Sequence, residues 1–116
     1  MSTITTRLTL RVLRGEDVAI GPGKADLLAA IRDTGSISGA ARAMNMSYRR
    51  AWMLVDVMNR SFKQPLVHSA VGGQKGGGAR LTDDGERALH LFREMEAAAR
   101  TAAQPSLEVL MRELAP

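Results

Sequence analysis

Tyr48, Arg49 and Arg50 stand in a row directly after Ser47. At the exposed start of a helix, two guanidinium groups and a phenol have the chemistry to hold phosphates and to read base edges in a major groove. Met53 is placed to reach outward beside them. Ser36, Ser38 and Ser47 lie at neighbouring helix starts and are counted with this group. Further along, Lys75 and Arg80 flank a stretch with five glycines in seven positions, Gly72-Gly73-Gln74-Lys75-Gly76-Gly77-Gly78. So much glycine costs chain entropy, and it suits a loop that needs backbone freedom or close approach to a partner. A loop carrying Lys75 and followed by Arg80 suits tracking of a sugar-phosphate backbone.

Those side chains need a scaffold, and the run from Gly35 to Trp52 supplies one. Ser36 or Ser38 can accept the free amide hydrogens of a first helix, and Ser47 can do the same for a second helix about ten residues later. Gly39, Ala40, Ala41 and Ala43 keep the first helix slim, so the second can cross it closely, while Ile37 and Met44 supply an apolar stripe. Two capped helices joined by a short turn form a helix-turn-helix pattern. In the second helix, Ala51, Trp52, Val55 and Met58 are assigned to one apolar face, so Trp52 is expected in the core rather than as a stacking platform. Arg49, Arg50 and Met53 lie off that face.

The chain has 116 residues, 45% of them apolar, which suffices for one modest core in a single domain spanning 1–116. It contains no cysteine, which excludes disulfides, thiolate metal sites and cysteine nucleophiles together. The longest apolar runs reach only about five residues, against the roughly twenty needed to span a bilayer. The amino end carries Arg7, Arg11 and Arg14 before any hydrophobic stretch, unlike a secretory signal. A cytoplasmic location is expected. The net charge is +4 but uneven: seven bases face the single acid Asp56 between Arg42 and Arg80, whereas residues 81–116 hold four bases and seven acids. Positive charge concentrated around the reading helix suggests one face for a polyanion and another turned away from it.

Around this centre the pattern predicts an α+β, mainly α architecture. Leu8, Leu10 and Val12 alternate with polar residues as in a half-buried strand, and Arg14-Gly15-Glu16-Asp17 turns the chain into Val18-Ala19-Ile20, giving an amino-terminal hairpin over about 4–20. Gly21-Pro22-Gly23 breaks it. A helix from about Lys24 to Asp33 buries Leu27, Leu28 and Ile31 and is closed by Gly35. Pro65–Val71 and Ala79–Leu81 read as the strands of a second hairpin around the glycine tip, and the core is expected over about 24–82. Thr82 then caps a long helix whose first turn holds Asp83, Asp84 and Glu86, where carboxylates suit the helix dipole. Ala88, Phe92, Met95, Ala99 and Ala102 recur at alternating intervals of four and three, a seam for another helix. Pro105 is expected to end that helix, with Leu107, Leu110, Met111 and Leu114 on one face of a short last one. The segment 83–114 is accordingly assigned to homodimerisation.

Enzyme motifs fail on specific residues. A nucleophile elbow needs serine where Gly35-Ser36-Ile37-Ser38-Gly39 has Ile37. A phosphate-binding loop needs a hydroxyl after its lysine, but Gly76 follows Lys75, and Asp26 stands where a dinucleotide fingerprint opening at Gly21 wants glycine or alanine. Glu86 and His90 share a helix face with no second histidine nearby, so no metal site is assigned. His68 is read as structural. No catalytic residue and no cofactor are expected.

The run Gly35-Ser36-Ile37-Ser38 to Ala41, then Met46-Ser47-Tyr48-Arg49-Arg50-Ala51-Trp52 with Met58-Asn59, resembles the amino-terminal domain of the molybdate-dependent ModE-type transcriptional regulators. Leu66-Val67, Gly72-Gly73, Lys75 to Ala79, and Leu81-Thr82 with Gly85 resemble that family's glycine-rich wing and the helix after it. The resemblance covers roughly residues 24 to 100, and the first half is also similar to LysR-type regulators. It implies a winged helix-turn-helix, dimeric, with double-stranded DNA as partner and no membrane. ModE-type regulators carry molybdate-binding domains after this module, whereas this sequence ends at Pro116, so molybdate binding is not expected here. An alternative reading is a protein-interaction module that keeps the fold without binding an operator. Salt dependence of duplex binding separates the two.

Overall fold

The computed structural model describes residues 3–70 and 78–116. Its elements in order are β1 (Val12–Arg14), β2 (Asp17–Ile20), α1 (Pro22–Thr34), α2 (Ile37–Ala43), α3 (Tyr48–Ser61), β3 (Val67–Ser69), β4 (Ala79–Leu81) and α4 (Asp83–Arg112). The mixed, mainly helical class is as expected, with α1, α2, α3 and the start of α4 packed around one core and two separate two-stranded antiparallel hairpins at its margins.

Local chemistry explains most boundaries. Gly21 is extended and precedes Pro22, whose fixed φ and missing N–H suit the first helical position, so α1 begins two residues earlier than expected. Gly35 ends α1 in the left-handed region at φ 77°, and its N–H donates to the Ile31 carbonyl. Ser36, Ser47 and Thr82 each cap the helix that follows, their hydroxyl oxygens accepting from Gly39, Arg50 and Gly85 amides at 2.9, 3.1 and 3.0 Å. Ala40, Ala41 and Ala51 are buried where α2 meets α3, the close approach that the small side chains allow. Leu27, Leu28, Ile31, Met58, Leu66 and Phe92 are the largest side chains fully enclosed.

The amino-terminal hairpin is shorter than the alternation of Leu8, Leu10 and Val12 predicts. Residues 3–11 lie outside any strand, since β2 has only four residues with which to pair. Val12 lies opposite Ile20, Leu13 opposite Val18 and Arg14 opposite Asp17, around Gly15 at φ 63°. In the second hairpin, Val67, His68 and Ser69 face Leu81, Arg80 and Ala79. The expected strand Pro65–Val71 is confined to Val67–Ser69, and the glycine tip from 71 to 77 lies outside the described residues.

Three expectations about helices are corrected. Trp52 is 48% exposed, while Ala51, Val55 and Met58 are buried. The core line passes through Ala51, which is buried, and Trp52 one residue on is turned about 100° from it toward solvent. Pro105 does not end the long helix: α4 runs unbroken through it for 30 residues. The proline is exposed, so the hydrogen bond it forfeits is lost on a solvated face, and Gln104 donates to Glu108 across it at 3.1 Å. Phe92 is only 2% exposed and belongs to the domain's own core with Leu89, so it is not free to form an intermolecular seam. Ala88 is half-buried against the same core, Ala99 is half-buried, and Met95 and Ala102 are exposed.

The start of α4 is locked to the rest. A Cβ on Gly85 would collide with the Leu66 carbonyl, which also accepts the Thr82 N–H at 2.9 Å. The Thr82 hydroxyl donates to the Pro65 carbonyl at 2.7 Å. Arg93 pairs with Asp26 of α1 at 2.6 Å and with Glu96 at 3.0 Å. The hydrogen bond it donates to Asp26 is the main reason that Arg93 holds its proton more firmly than an ordinary arginine. No helix among the described residues is long and apolar enough to cross a membrane.

Candidate nucleic-acid interface

The turn between α2 and α3 is built from Met44, Asn45 and Met46. Asn45 takes φ 55°, a left-handed conformation that asparagine tolerates better than most side chains, and the Met46 N–H returns to the Ala41 carbonyl at 2.9 Å. This turn ends at Ser47 and aims the start of α3 outward. Tyr48 is 55% exposed and Met53 57%, and Arg49 and Arg50 are exposed with them. Trp52 joins this face, an aromatic platform that hydropathy assigned to the interior.

Helical periodicity sorts these side chains further. With Ala51, Val55 and Met58 toward the core, Arg49 and Met53 lie at the opposite pole and Tyr48 and Trp52 along one edge. Asp56 and Arg60 continue the outer pole but pair with each other at 3.0 Å. Arg49 and Arg50 form no ion pair among the described residues, leaving both guanidiniums available for an anionic or acceptor-rich partner. Ser36 and Ser47 accept cap hydrogen bonds but keep a hydroxyl proton to donate, and the exposed Ser38 approaches Ser36 Oγ at 3.5 Å.

The wing hairpin is tied to α3 by one side chain. Asn59 accepts the Leu66 and Val67 N–H groups at 2.9 and 3.1 Å and donates to the Val67 carbonyl at 3.1 Å, so β3 hangs on α3. On the other strand the Ala79 N–H donates to the Gly35 carbonyl at 2.9 Å. Arg80 is exposed on β4, opposite the exposed His68. Lys75 lies outside the described residues. Residue types alone could not assign the Asn59 clamp, because its partners are backbone groups seven and eight residues on.

Two other site features bear on charge. Burial pushes the Lys24 ammonium below its ordinary pKa, a lowering that Asp17 opposes and Arg50 reinforces. His90 pairs with Glu94 at 3.0 Å rather than with Glu86. The described residues include no group of histidine and acidic side chains able to hold a metal ion.

A family model described as bacterial regulatory helix-turn-helix protein, LysR family, matches residues 24–86, the span from α1 to the first turn of α4. The chain belongs to that family. The matched span holds the whole of the α2–turn–α3 unit, and the family so described is one of regulatory helix-turn-helix proteins. Among curated relatives, it is 40% identical over 93 residues to the molybdenum transport protein ModE of Azotobacter vinelandii, covering 78% of this chain and 34% of that one. It is 44% identical over 86 residues to the molybdenum-pterin-binding protein MopB of Rhodobacter capsulatus, covering 74% and 32%. It is 35% identical over 91 residues to the transcriptional regulator ModE of Haemophilus influenzae, covering 78% and 36%. The chain thus spans about a third of the length of the curated relatives it matches. Among solved structures, the full-length LysR-type regulator LysG of Corynebacterium glutamicum with bound effector Arg superposes with a TM-score of 0.57 at 23% identity, over 82% of this chain and 30% of that one. That likeness shows the winged-helix fold.

Proposed function

We propose that this chain is a single domain that binds double-stranded DNA by laying α3 in the major groove and the wing along the adjacent backbone. The observation that carries this reading is the outward face of α3, where Tyr48, Arg49, Trp52 and Met53 are exposed together and Arg49 has no ion pair among the described residues. Arg49 is positioned to read a guanine edge, Met53 and Trp52 to pack on apolar base edges, and Ser36, Ser38, Ser47, Tyr48 and Arg50 to hold phosphates. Lys75 and Arg80 supply the charge of the wing. Changing Arg49 to alanine costs on the order of 1–3 kcal/mol on the preferred site and little on random duplex. Equal losses on both duplexes would reduce Arg49 to a backbone contact and remove the base-reading role.

The same reading includes a homodimer formed along α4. Leu91, Met95 and Val109 are 46, 44 and 54% exposed, and with Ala98 and Ala102 they form a stripe at helical spacing on the side away from Leu89 and Phe92. This stripe keeps Met95 and Ala102 of the expected seam and replaces Phe92. Two-fold pairing sets the reading helices about 34–36 Å apart, matching half-sites one helical turn from each other. Sedimentation of Met95→Glu at micromolar concentration tests it, and a variant as dimeric as the unmodified chain sinks this interface. Molybdenum appears in the names of two of these relatives, and this reading assigns molybdate to no residue of this chain. A DNA partner supports a cytoplasmic location.

A further inference from the structure

α3 has two long edges beside its core line, and the wing occupies only one. Trp52 and Asn59, seven residues apart, share an edge, and Asn59 holds β3 there. Arg50 and Leu54, four residues apart, share the opposite edge and open onto a cleft of about 260 Å³. Arg11 from the segment before β1 and Lys24 from the first turn of α1 line the same cleft. Three cations are thus brought together from three parts of the chain more than ten residues apart. Among the described residues none of the three forms an ion pair, although the field of Asp17 reaches Lys24.

Gathering like charges in a partly desolvated cleft is unfavourable in the free domain, and an oxyanion seated among them relieves the repulsion. A helix in the major groove has a sugar-phosphate strand on each side of it, the groove being only about 12 Å wide. The wing edge faces one strand. We propose that the cleft formed by Arg11, Lys24 and Arg50 binds a backbone phosphate of the other strand, so that α3 is clamped to the duplex from both sides. The assignment rests on the reading that α3 enters the groove. Arg11 and Lys24 are the new members of the interface, and neither stands in the helix-turn-helix. Their contribution is to affinity and register rather than to base choice, because a phosphate carries no sequence information of its own.

The test is the slope of log binding constant against log salt for the full chain on a duplex carrying its preferred site. The Arg11→Gln/Lys24→Gln double variant is expected to lower that slope by about one unit, the loss of one neutralised phosphate, and each single variant by part of that, with site preference unchanged. Lys24→Arg retains the slope of the unmodified chain. Hydroxyl-radical footprinting of the double variant loses protection on the strand across the groove from the wing. Both positions are at least partly exposed, and unchanged thermal midpoints show that the variants remain folded. An unchanged slope and footprint in the double variant, with steep salt dependence and an Arg49-dependent site preference in the unmodified chain, overturns the clamp and leaves the groove reading standing. Salt-insensitive duplex binding by the unmodified chain overturns the groove reading itself. Calorimetric saturation of the free domain by inorganic phosphate, lost in Lys24→Gln without any change in the DNA slope, assigns the cleft to a free anion and overturns the duplex assignment.

Discussion

The two halves of α4 belong to one unbroken helix yet live under different constraints. Through Glu96 it carries the buried residues Gly85, Leu89 and Phe92, the Thr82 cap and the Arg93–Asp26 pair. Beyond Glu96 no described residue is buried, and Val109, Leu110 and Leu114 are 54, 61 and 52% exposed. The first half is held by the domain, the second by its own backbone hydrogen bonds and by the flanking stretch Ile4–Leu8, which lines a groove with Leu107 and Met111. Helical continuity therefore says nothing about where tertiary stability resides. Leucine at 89 is core and leucine at 110 is surface because only the former faces α1 and the wing base.

Substitution at matched positions sharpens that contrast. Phe92→Ala removes a large enclosed side chain and is expected to cost about 3–5 kcal/mol in denaturant unfolding, whereas Leu110→Ala in a dilute, monomeric sample stays within about 0.5 kcal/mol. Comparable losses at the two sites would erase the distinction. Gly85→Ala gains about 1 kcal/mol of helix propensity but must displace the Leu66 carbonyl, an overpacking cost of about 3 kcal/mol or more, so net destabilisation is expected. A stabilised variant would show that the α4–wing contact yields freely. Asn59→Ala leaves the Leu66 and Val67 N–H groups without their side-chain partner, at about 1–3 kcal/mol, and should speed amide exchange at those residues before it affects α1. Asp26→Asn costs less, because the exposed pair with Arg93 contributes about 1 kcal/mol or less and should fade as salt rises.

The parts of the fold legible in the sequence are those governed by chemistry within one turn of chain. Ser36, Ser47 and Thr82 announce helix starts because a short side-chain oxygen and a following apolar period suffice to define a cap. Gly35 announces an end for an equally local reason. The exposure of Tyr48, Arg49 and Met53 was legible on the same basis, since charge next to a cap implies a solvated face. That of Trp52 was not, because hydropathy ranks indole above alanine while the helix turns Ala51 inward and Trp52 toward solvent. The seam read through Ala88, Phe92 and Met95 takes an inner residue, Phe92, for an outer one, because the first member of the inner line, Gly85, has no side chain and hence no hydropathic signal. Pro105 shows the converse failure: a local rule overridden where the forfeited hydrogen bond faces water. Asn59, Arg11 and Lys24 depend on distant backbone or on three separate elements, and no spacing rule connects those.

Leu66 meets Gly85 at one end of a helix that extends about 45 Å, taking the standard rise per residue. Mechanically, Leu66 is a shared pin: its carbonyl abuts Gly85 of α4 while its N–H is held by Asn59 of α3. One residue thus sets both the seat of the long helix and the hang of the wing on α3, so a change that reseats the first turn of α4 meets the Asn59 clamp one peptide away.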